Sequence, residues 1–273
     1  MRESDSGMIR IVLAAVIGWY LLKAVRSRVP AVHTFVARLT PWSERLHAWV
    51  LSAPATFCYI AVFTCFTLVQ KTAPPRLIDI MTTVDSTNLY QLRSNHTLSV
   101  LATSAFWMAD HGDSLVLYIA GFATVVAWAE RRYGTPRLAF IAVSGHVFGS
   151  LLTEALLGQA IDNGRAPSKL AYATDVGVSY MLVSGMAAAV LAVRGWMRLL
   201  AAAVLLGILL TPMFTNHTIW DFGHIIAAGC GLVAAALCRL AGPLRKPATR
   251  TRTGAAVTTQ SSRSDADRVP DSL

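Results

Sequence analysis

The chain has 273 residues, of which 54% are hydrophobic and only 14% charged, with a formal net charge of +9. Soluble domains carry roughly 25% charged residues, so this composition excludes an ordinary soluble enzyme and points to a bilayer as solvent. In such a chain the positive charge reads as cytoplasmic loops, where Lys and Arg collect, and not as a nucleic-acid surface. The cysteines Cys58, Cys65, Cys230 and Cys238 all lie in apolar runs without CxxC spacing, and read as small apolar packers rather than disulfides or a zinc shell.

A spanning helix takes ~20 mostly apolar residues, and six such runs are present. Before them, Met1 to Gly7 is polar, Ile9 to Leu22 is apolar apart from Arg10, and Lys23, Arg26 and Arg28 follow. About 14 residues give ~21 Å of helix against a ~30 Å hydrocarbon core. That length favours a helix lying at the interface over a short extra span, and both stay open. Residues 23–48, with Pro30 and Pro41 as breakers, read as a cytoplasmic interfacial segment. The first span is expected at Trp49 to Val69, with Pro54 tolerated in its first turns. Residues 70–112 form a long mixed loop with Pro74-Pro75, the polar run Asp85-Ser86-Thr87-Asn88 and an apolar stretch from Leu98 to Met108 that rests partly in the bilayer surface.

The second span, Ser114 to Ala129, ends in the charged stop Glu130-Arg131-Arg132-Tyr133-Gly134. The third, Leu138 to Leu157, contains Ser144-Gly145-His146 and Gly149-Ser150. Residues 158–170 are a turn-rich loop. The fourth span, Ala171 to Val193, carries Asp175, Gly177, Ser179 and Tyr180 near its start, and Ser184-Gly185 further in. The fifth is built on Leu199 to Leu210 and closed by Pro212; the sixth is Ile219 to Leu240. From Ala241 the chain is polar and reads as disordered. The expected organisation is an N-terminal hydrophobic and basic segment (1–45), a membrane domain (46–241) and a basic tail (242–273). Alternate loops carry seventeen Lys and Arg on one side and five on the other. This asymmetry predicts a multi-pass protein of the cell membrane with its basic segment and tail in the cytoplasm.

In that topology the fourth and sixth spans both start on the outer side. Ser179 would lie ~12 Å deep and His224 ~8–9 Å deep at 1.5 Å per residue. Gly177 and Gly223 would let the two helices approach closely. A serine becomes a nucleophile when a base reaches it, and an intramembrane histidine is a functional candidate by default. Asp175 and Asp221 precede Ser179 and His224 by four and three residues, on the same face of a regular helix. Asp221 would then orient His224 as a third member. The plainer and favoured expectation is that both acids are wet, structural groups at the interface. His146 reads as a hydrogen-bonded core residue, and no metal-ligand spacing links His96, His111 and His217.

These motifs resemble those of the rhomboid-type family, polytopic proteins that include intramembrane serine proteases. Gly177-Val178-Ser179-Tyr180 is similar to the family's GxSG in three of four positions. Gly223-His224, followed by Ala227 and Gly231, is similar to its AHxxGxxxG. The Glu130–Gly134 stop with Ser144-Gly145 and Gly149-Ser150 resembles the second and third spans. STNL at 86–89 and DVGVSY at 175–180 look most like an actinobacterial rhomboid-like subgroup. The resemblance implies an all-α, six-helix rhomboid-like bundle, with an extra N-terminal helix left open. It implies Ser179 as nucleophile, His224 as base, no metal or cofactor, and a transmembrane protein substrate met in the lipid bilayer. Two departures stand out. The family's HxxxN on the second span falls on Asp113 and Leu117, or on Ser114 and Tyr118 with a one-residue shift. The last glycine of GxSG is Tyr180. Two functions therefore stay open: an intramembrane protease, or a catalytically inactive relative that binds transmembrane partners.

Overall fold

The computed structural model describes residues 2–215 and 218–245; among them the chain is helical throughout, with no strand. The tail from 246 onward, expected to be disordered, and Asn216 and His217 lie outside the described residues. Helix α1 (Arg2–Val25) and helix α2 (Pro30–Leu51) precede the bundle. At 24 residues, α1 is ~36 Å long, well beyond the apolar run alone. Its Ile11, Leu13, Ile17 and Leu21 are all exposed. Pro41 sits inside α2 without ending it.

The first span does not begin at Trp49. The chain breaks at Ser52–Ala53, and α3 (Pro54–Thr72) restarts with Pro54 in its first turn. Proline has no N–H to continue a helix and pushes its predecessor out of the helical region. The donors freed at this new N-terminus go to Glu130. Its carboxylate accepts from Ala55 N (3.1 Å), Thr56 N (2.8 Å) and Thr56 Oγ1 (2.7 Å), and from Thr135 Oγ1 at 2.6 Å. Glu130 is 1% exposed. It is the buried cap of α3, favoured there by the positive end of the helix dipole, and not the solvated stop its neighbours suggested.

Residues 70–112 are also more ordered than a surface loop. They form α4 (Pro75–Val84), α5 (Leu89–Leu92) and α6 (Thr97–Ser104), and bury Trp107 and Met108. The polar run turns inward: Ser86, Thr87 and Asn88 are all buried. Asp85 accepts from Thr103 Oγ1 (3.1 Å) and Trp107 Nε1 (2.9 Å), tying the segment to α6.

The second span is a continuous rod of α7 (Leu115–Gly121), a π-helical turn (Phe122–Val126) and α8 (Ala127–Tyr133). The wider turn disturbs the regular ladder, and the Ala123 carbonyl accepts from Trp49 Nε1 at 2.8 Å. Gly134, at φ +85°, takes the left-handed conformation open to glycine and reverses the chain into α9 (Thr135–Asp162). After a 3₁₀ turn (Ser168–Tyr172) and an extended segment come α10 (Val178–Ala192), α11 (Trp196–Thr215) and α12 (Ile219–Leu240). Pro212 lies inside α11 rather than closing it. The fourth span thus begins seven residues later than expected, because Asp175 to Gly177 are drawn into polar contacts described below.

Helices α9, α10 and α12 form the centre. A Cβ on Gly145 of α9 would lie 2.5 Å from Ser184 Cβ, and one on Gly231 of α12 would lie 2.7 Å from Ser184 Cα. Small residues let the three backbones meet where a dry interface gains only from packing and hydrogen bonds. Ser184 Oγ closes the seam against the Tyr180 carbonyl (2.7 Å) and the Ala227 carbonyl (3.0 Å). The main buried apolar cluster includes Phe63, Phe122, Ile141, Ala188 and Ala235. Helix α11 stands apart: Leu205 and Leu209 are its buried residues, and Leu199, Leu206 and Phe214 are exposed. Helices α3, α9, α11 and α12 are long and apolar enough to cross a membrane.

At the end of the bundle opposite Ser179, arginines meet helix C-termini. Arg198 Nε donates to the Val193 carbonyl at 2.9 Å, Arg239 Nη1 to the Leu191 carbonyl, and Arg137 Nη1 to the Pro243 carbonyl at 3.1 Å. Cations there satisfy orphan carbonyls and complement the dipole.

Candidate active site

The site is built from a strap, a helix start and a facing helix. The strap is the extended run before α10. Its Asp175 N donates to Ser86 Oγ (2.6 Å), while Ser86 Oγ (3.0 Å) and Thr87 N (2.9 Å) donate to the Asp175 carbonyl. The Asp175 carboxylate, 5% exposed, accepts from Thr87 Oγ1 at 3.2 Å. Two residues on, Gly177 N donates to the Ser104 carbonyl at 2.9 Å. Asp175 is therefore not on a helix face with Ser179; it anchors the strap to the buried Ser86-Thr87 pair.

His146 of α9 supports the strap from below. Its Nε2 faces the Leu101 carbonyl (2.9 Å) and Ser104 Oγ (3.3 Å), which puts a proton on Nε2 and leaves Nδ1 bare. A Cβ on Gly177 would lie 2.9 Å from Nε2 and closer still to Cε1 and Nδ1. His146 is thus a packed core histidine under the strap.

Gly177 is the N-cap of α10, and no side chain caps it. The first-turn N–H groups of a helix have no partner within it, so the amides around Ser179 point out at the positive end of the dipole. Ser179, half-buried, is the second residue of the helix, not eight residues into a span.

Tyr180 turns away from that opening. It is 0% exposed, so it does not block Ser179. Its ring lies edge-on to the His224 ring, with centroids 5.2 Å apart at 90°. A Cβ on Gly223 would lie 2.8 Å from Tyr180 Cζ and nearer still to the hydroxyl. The bulk added at Tyr180 thus occupies space left by Gly223, where the related motif has alanine. The Tyr180 hydroxyl has no well-formed hydrogen bond; Thr153 and Asp175 are its polar neighbours.

His224 is half-buried in the second turn of α12. Its ring contact is with Tyr180, and among the described residues no hydrogen bond joins it to Ser179. Asp221, one turn before, accepts from Thr218 N (2.9 Å) and Thr218 Oγ1 (2.8 Å). That carboxylate closes the start of α12 rather than gripping the imidazole. The structure thus gathers Ser179, Tyr180, Gly223 and His224 at one end of α10 and α12, with Gly177 and Asp175 in the strap behind.

One buried acid escaped the sequence reading. Glu154 of α9 is 1% exposed and neither carboxylate oxygen has a hydrogen-bond partner; Asp175 and Tyr180 lie within its electrostatic reach. An acid within an apolar run was the signal for it. The inward turn of Ser86 and Thr87 had no such signal, since polar runs between spans are usually loops. Among the described residues no three His, Cys, Asp or Glu side chains converge as a metal shell requires.

A model of the rhomboid-like protein family matches residues 48–243. No curated protein and no solved structure matches the chain. The family match covers most of the chain and all of the bundle from α3 to α12, including both helices that carry the candidate dyad. With its all-helical membrane bundle, the chain belongs to the rhomboid-like family.

Proposed function

We propose that this chain is an intramembrane serine endopeptidase that cleaves transmembrane proteins, with Ser179 as nucleophile and His224 as base. One observation carries the proposal: a half-buried serine sits among uncapped helix amides, one residue from a tyrosine whose ring meets the candidate base. A hydroxyl, an imidazole and free N–H donors at one end of a bundle are the parts acyl transfer needs. In the proposed reaction His224 takes the Ser179 proton as Oγ attacks the scissile carbonyl. The Ser179 N–H receives the developing oxyanion, and His224 returns the proton to the leaving amine. Water then repeats the sequence on the acyl-enzyme. The strap holds Ser179 in place through Ser86, Thr87 and Ser104, so little reorganisation accompanies attack.

A transmembrane substrate has to reach Ser179 through lipid. Of the described helices long and apolar enough to cross a membrane, α11 has the smallest buried share. It borders an apolar groove of about 580 Å³ lined by Trp49, Trp128, Met186, Val193 and Leu200, which lies toward the arginine-bearing end of the bundle and away from Ser179. The seventeen-to-five asymmetry of basic residues supports a cytoplasmic tail and a site near the outer face of the cell membrane.

A catalytically inactive protein that binds transmembrane partners has two observations in its favour: the missing hydrogen bond between Ser179 and His224, and second-span positions that lack the family's His and Asn. Catalytic hydrogen bonds often tighten only in the complex, so chemistry has to decide. Purified protein is treated with a fluorophosphonate probe alongside Ser179→Ala and His224→Ala. Labelling that needs both residues supports the protease. Folded wild-type protein that neither labels at Ser179 nor cleaves a transmembrane substrate selects the inactive binder.

A further inference from the structure

We infer that the apolar groove beside α11 is a binding site for one anionic phospholipid, whose acyl chain lies in the groove and whose phosphate rests on Arg131 and Arg194. The site lies away from Ser179 and stands without the protease reading. Its volume of about 580 Å³ falls within the ~300–1,000 Å³ of small-ligand sites. Its shape selects a lipid chain over a protein helix. One wall runs from Met186 to Val193 along α10, the other from Met197 to Leu205 along α11. At 1.5 Å per residue these walls are ~10 and ~12 Å long. That is most of one leaflet, and well short of the ~30 Å that a spanning helix needs. Helix α11 has the smallest buried share of the apolar spanning helices, so a chain seated here supplies packing that it otherwise lacks.

The remaining side of the groove is held rigid by specific contacts. Thr124 and Val125 line it and belong to the π-helical turn Phe122–Val126, a feature that often marks functional sites. Trp49 Nε1 donates to the Ala123 carbonyl of the same turn at 2.8 Å, which fixes one indole in the lining. Trp128 supplies a second. Indoles favour the level of the lipid headgroups, where the acyl chain gives way to phosphate.

The mouth of the groove is cationic. The Arg131 guanidinium lies over the Trp49 ring, 4.6 Å from its centroid, and Arg131 is exposed. Arg194, also exposed, directly follows Val193 of the lining. Among the described residues no carboxylate forms an ion pair with either arginine. Glu130, next to Arg131 in sequence, is buried under its own four donors. A guanidinium matches phosphate oxygens through paired N–H groups. An anionic headgroup keeps the net charge that a zwitterionic one cancels, and so complements the two arginines better.

The test uses the full-length protein in detergent, titrated with phosphatidylglycerol or with phosphatidylcholine of the same acyl chains, and native mass spectrometry counts the lipid retained. Wild type should retain one phosphatidylglycerol and hold phosphatidylcholine about 10–30-fold more weakly, since each arginine near anionic lipid contributes roughly fivefold. Arg131→Gln combined with Arg194→Gln should erase that preference. Arg76→Gln, at the start of α4, should leave it unchanged. Ala201→Phe puts a ring into the groove and keeps both arginines; it should weaken retention of either lipid by at least about tenfold, because buried methylenes are lost. Thermal unfolding in phosphatidylcholine should stay level in the arginine variants, which separates loss of lipid from loss of fold. In wild type, phosphatidylglycerol with a diazirine on its acyl chain should crosslink to peptides holding Met186 or Leu200, a readout that needs no variant. Equal retention of the two lipids, a preference that survives the paired arginine variant, or crosslinks confined to other helices each overturns the site. None of these measurements depends on catalysis, so the lipid site and the protease stand or fall separately.

Discussion

Gly223 should tolerate no side chain while Tyr180 is present. In Gly223→Ala the new Cβ would lie 2.8 Å from Tyr180 Cζ, nearer still to its hydroxyl, and 3.2 Å from Thr153 Oγ1. The tyrosine cannot swing away easily, because it is fully buried among Val183, Ala187, Ala227 and Ala228. Overpacking of this kind costs about 1–3 kcal/mol, and relief by spreading α10 from α12 would also pull His224 off the Tyr180 ring. Tyr180→Leu removes the ring and by itself leaves a cavity worth about 2–4 kcal/mol. In the double variant the alanine methyl enters space that the ring has left. The two losses should then fall short of their sum by about 1–3 kcal/mol. SDS-titrated unfolding of wild type, both single variants and the double variant in mixed micelles measures this coupling. Additivity within about 0.5 kcal/mol would refute the fit between Tyr180 and Gly223, and with it the account of how a bulky residue is accommodated beside the nucleophile.

Four further outcomes follow from the same geometry. Tyr180→Phe removes a buried hydroxyl without a hydrogen bond, so unfolding should be unchanged or up to about 1 kcal/mol harder; a loss above that means the hydroxyl has a partner in the membrane. Glu130→Ala strips four donors of their acceptor and should cost about 2–4 kcal/mol, with Glu130→Gln intermediate, as read by the same SDS titration. Gly177→Ala drives a methyl into the His146 ring and should abolish Ser179 labelling, whereas adding His146→Ala should restore part of it; equal labelling of all three would show that the strap is not held this way. Glu154→Gln replaces a buried carboxyl whose oxygens have no hydrogen-bond partner with an amide of the same shape, and its thermal unfolding temperature should stay level or rise, while a drop would reveal a cation held there.

The sequence by itself settled the class of the molecule. Membrane spans need long apolar runs, and that demand leaves its mark in composition whatever the packing. Family resemblance added the order of motifs and pointed to Ser179 and His224. Span edges were less legible. Pro54 and the Asp175–Gly177 strap sit inside apolar text, and what ends a helix there is a partner far along the chain: Glu130 for α3, Ser86, Thr87 and Ser104 for the strap. Glu130 looked like a charge at a membrane edge because nothing local reveals that two helix amides and two hydroxyls converge on it. Asp175 and Asp221 looked alike as acids one turn from functional residues, yet one anchors a strap and the other closes a helix start. Tyr180 stood where the related motif has glycine, and only packing against α12 shows that Gly223 makes room for it. Hydropathy is a sum over one segment and survives reading in one dimension. Hydrogen-bond partners and the volume beside a glycine are set by residues tens of positions away, and tertiary structure alone decides them.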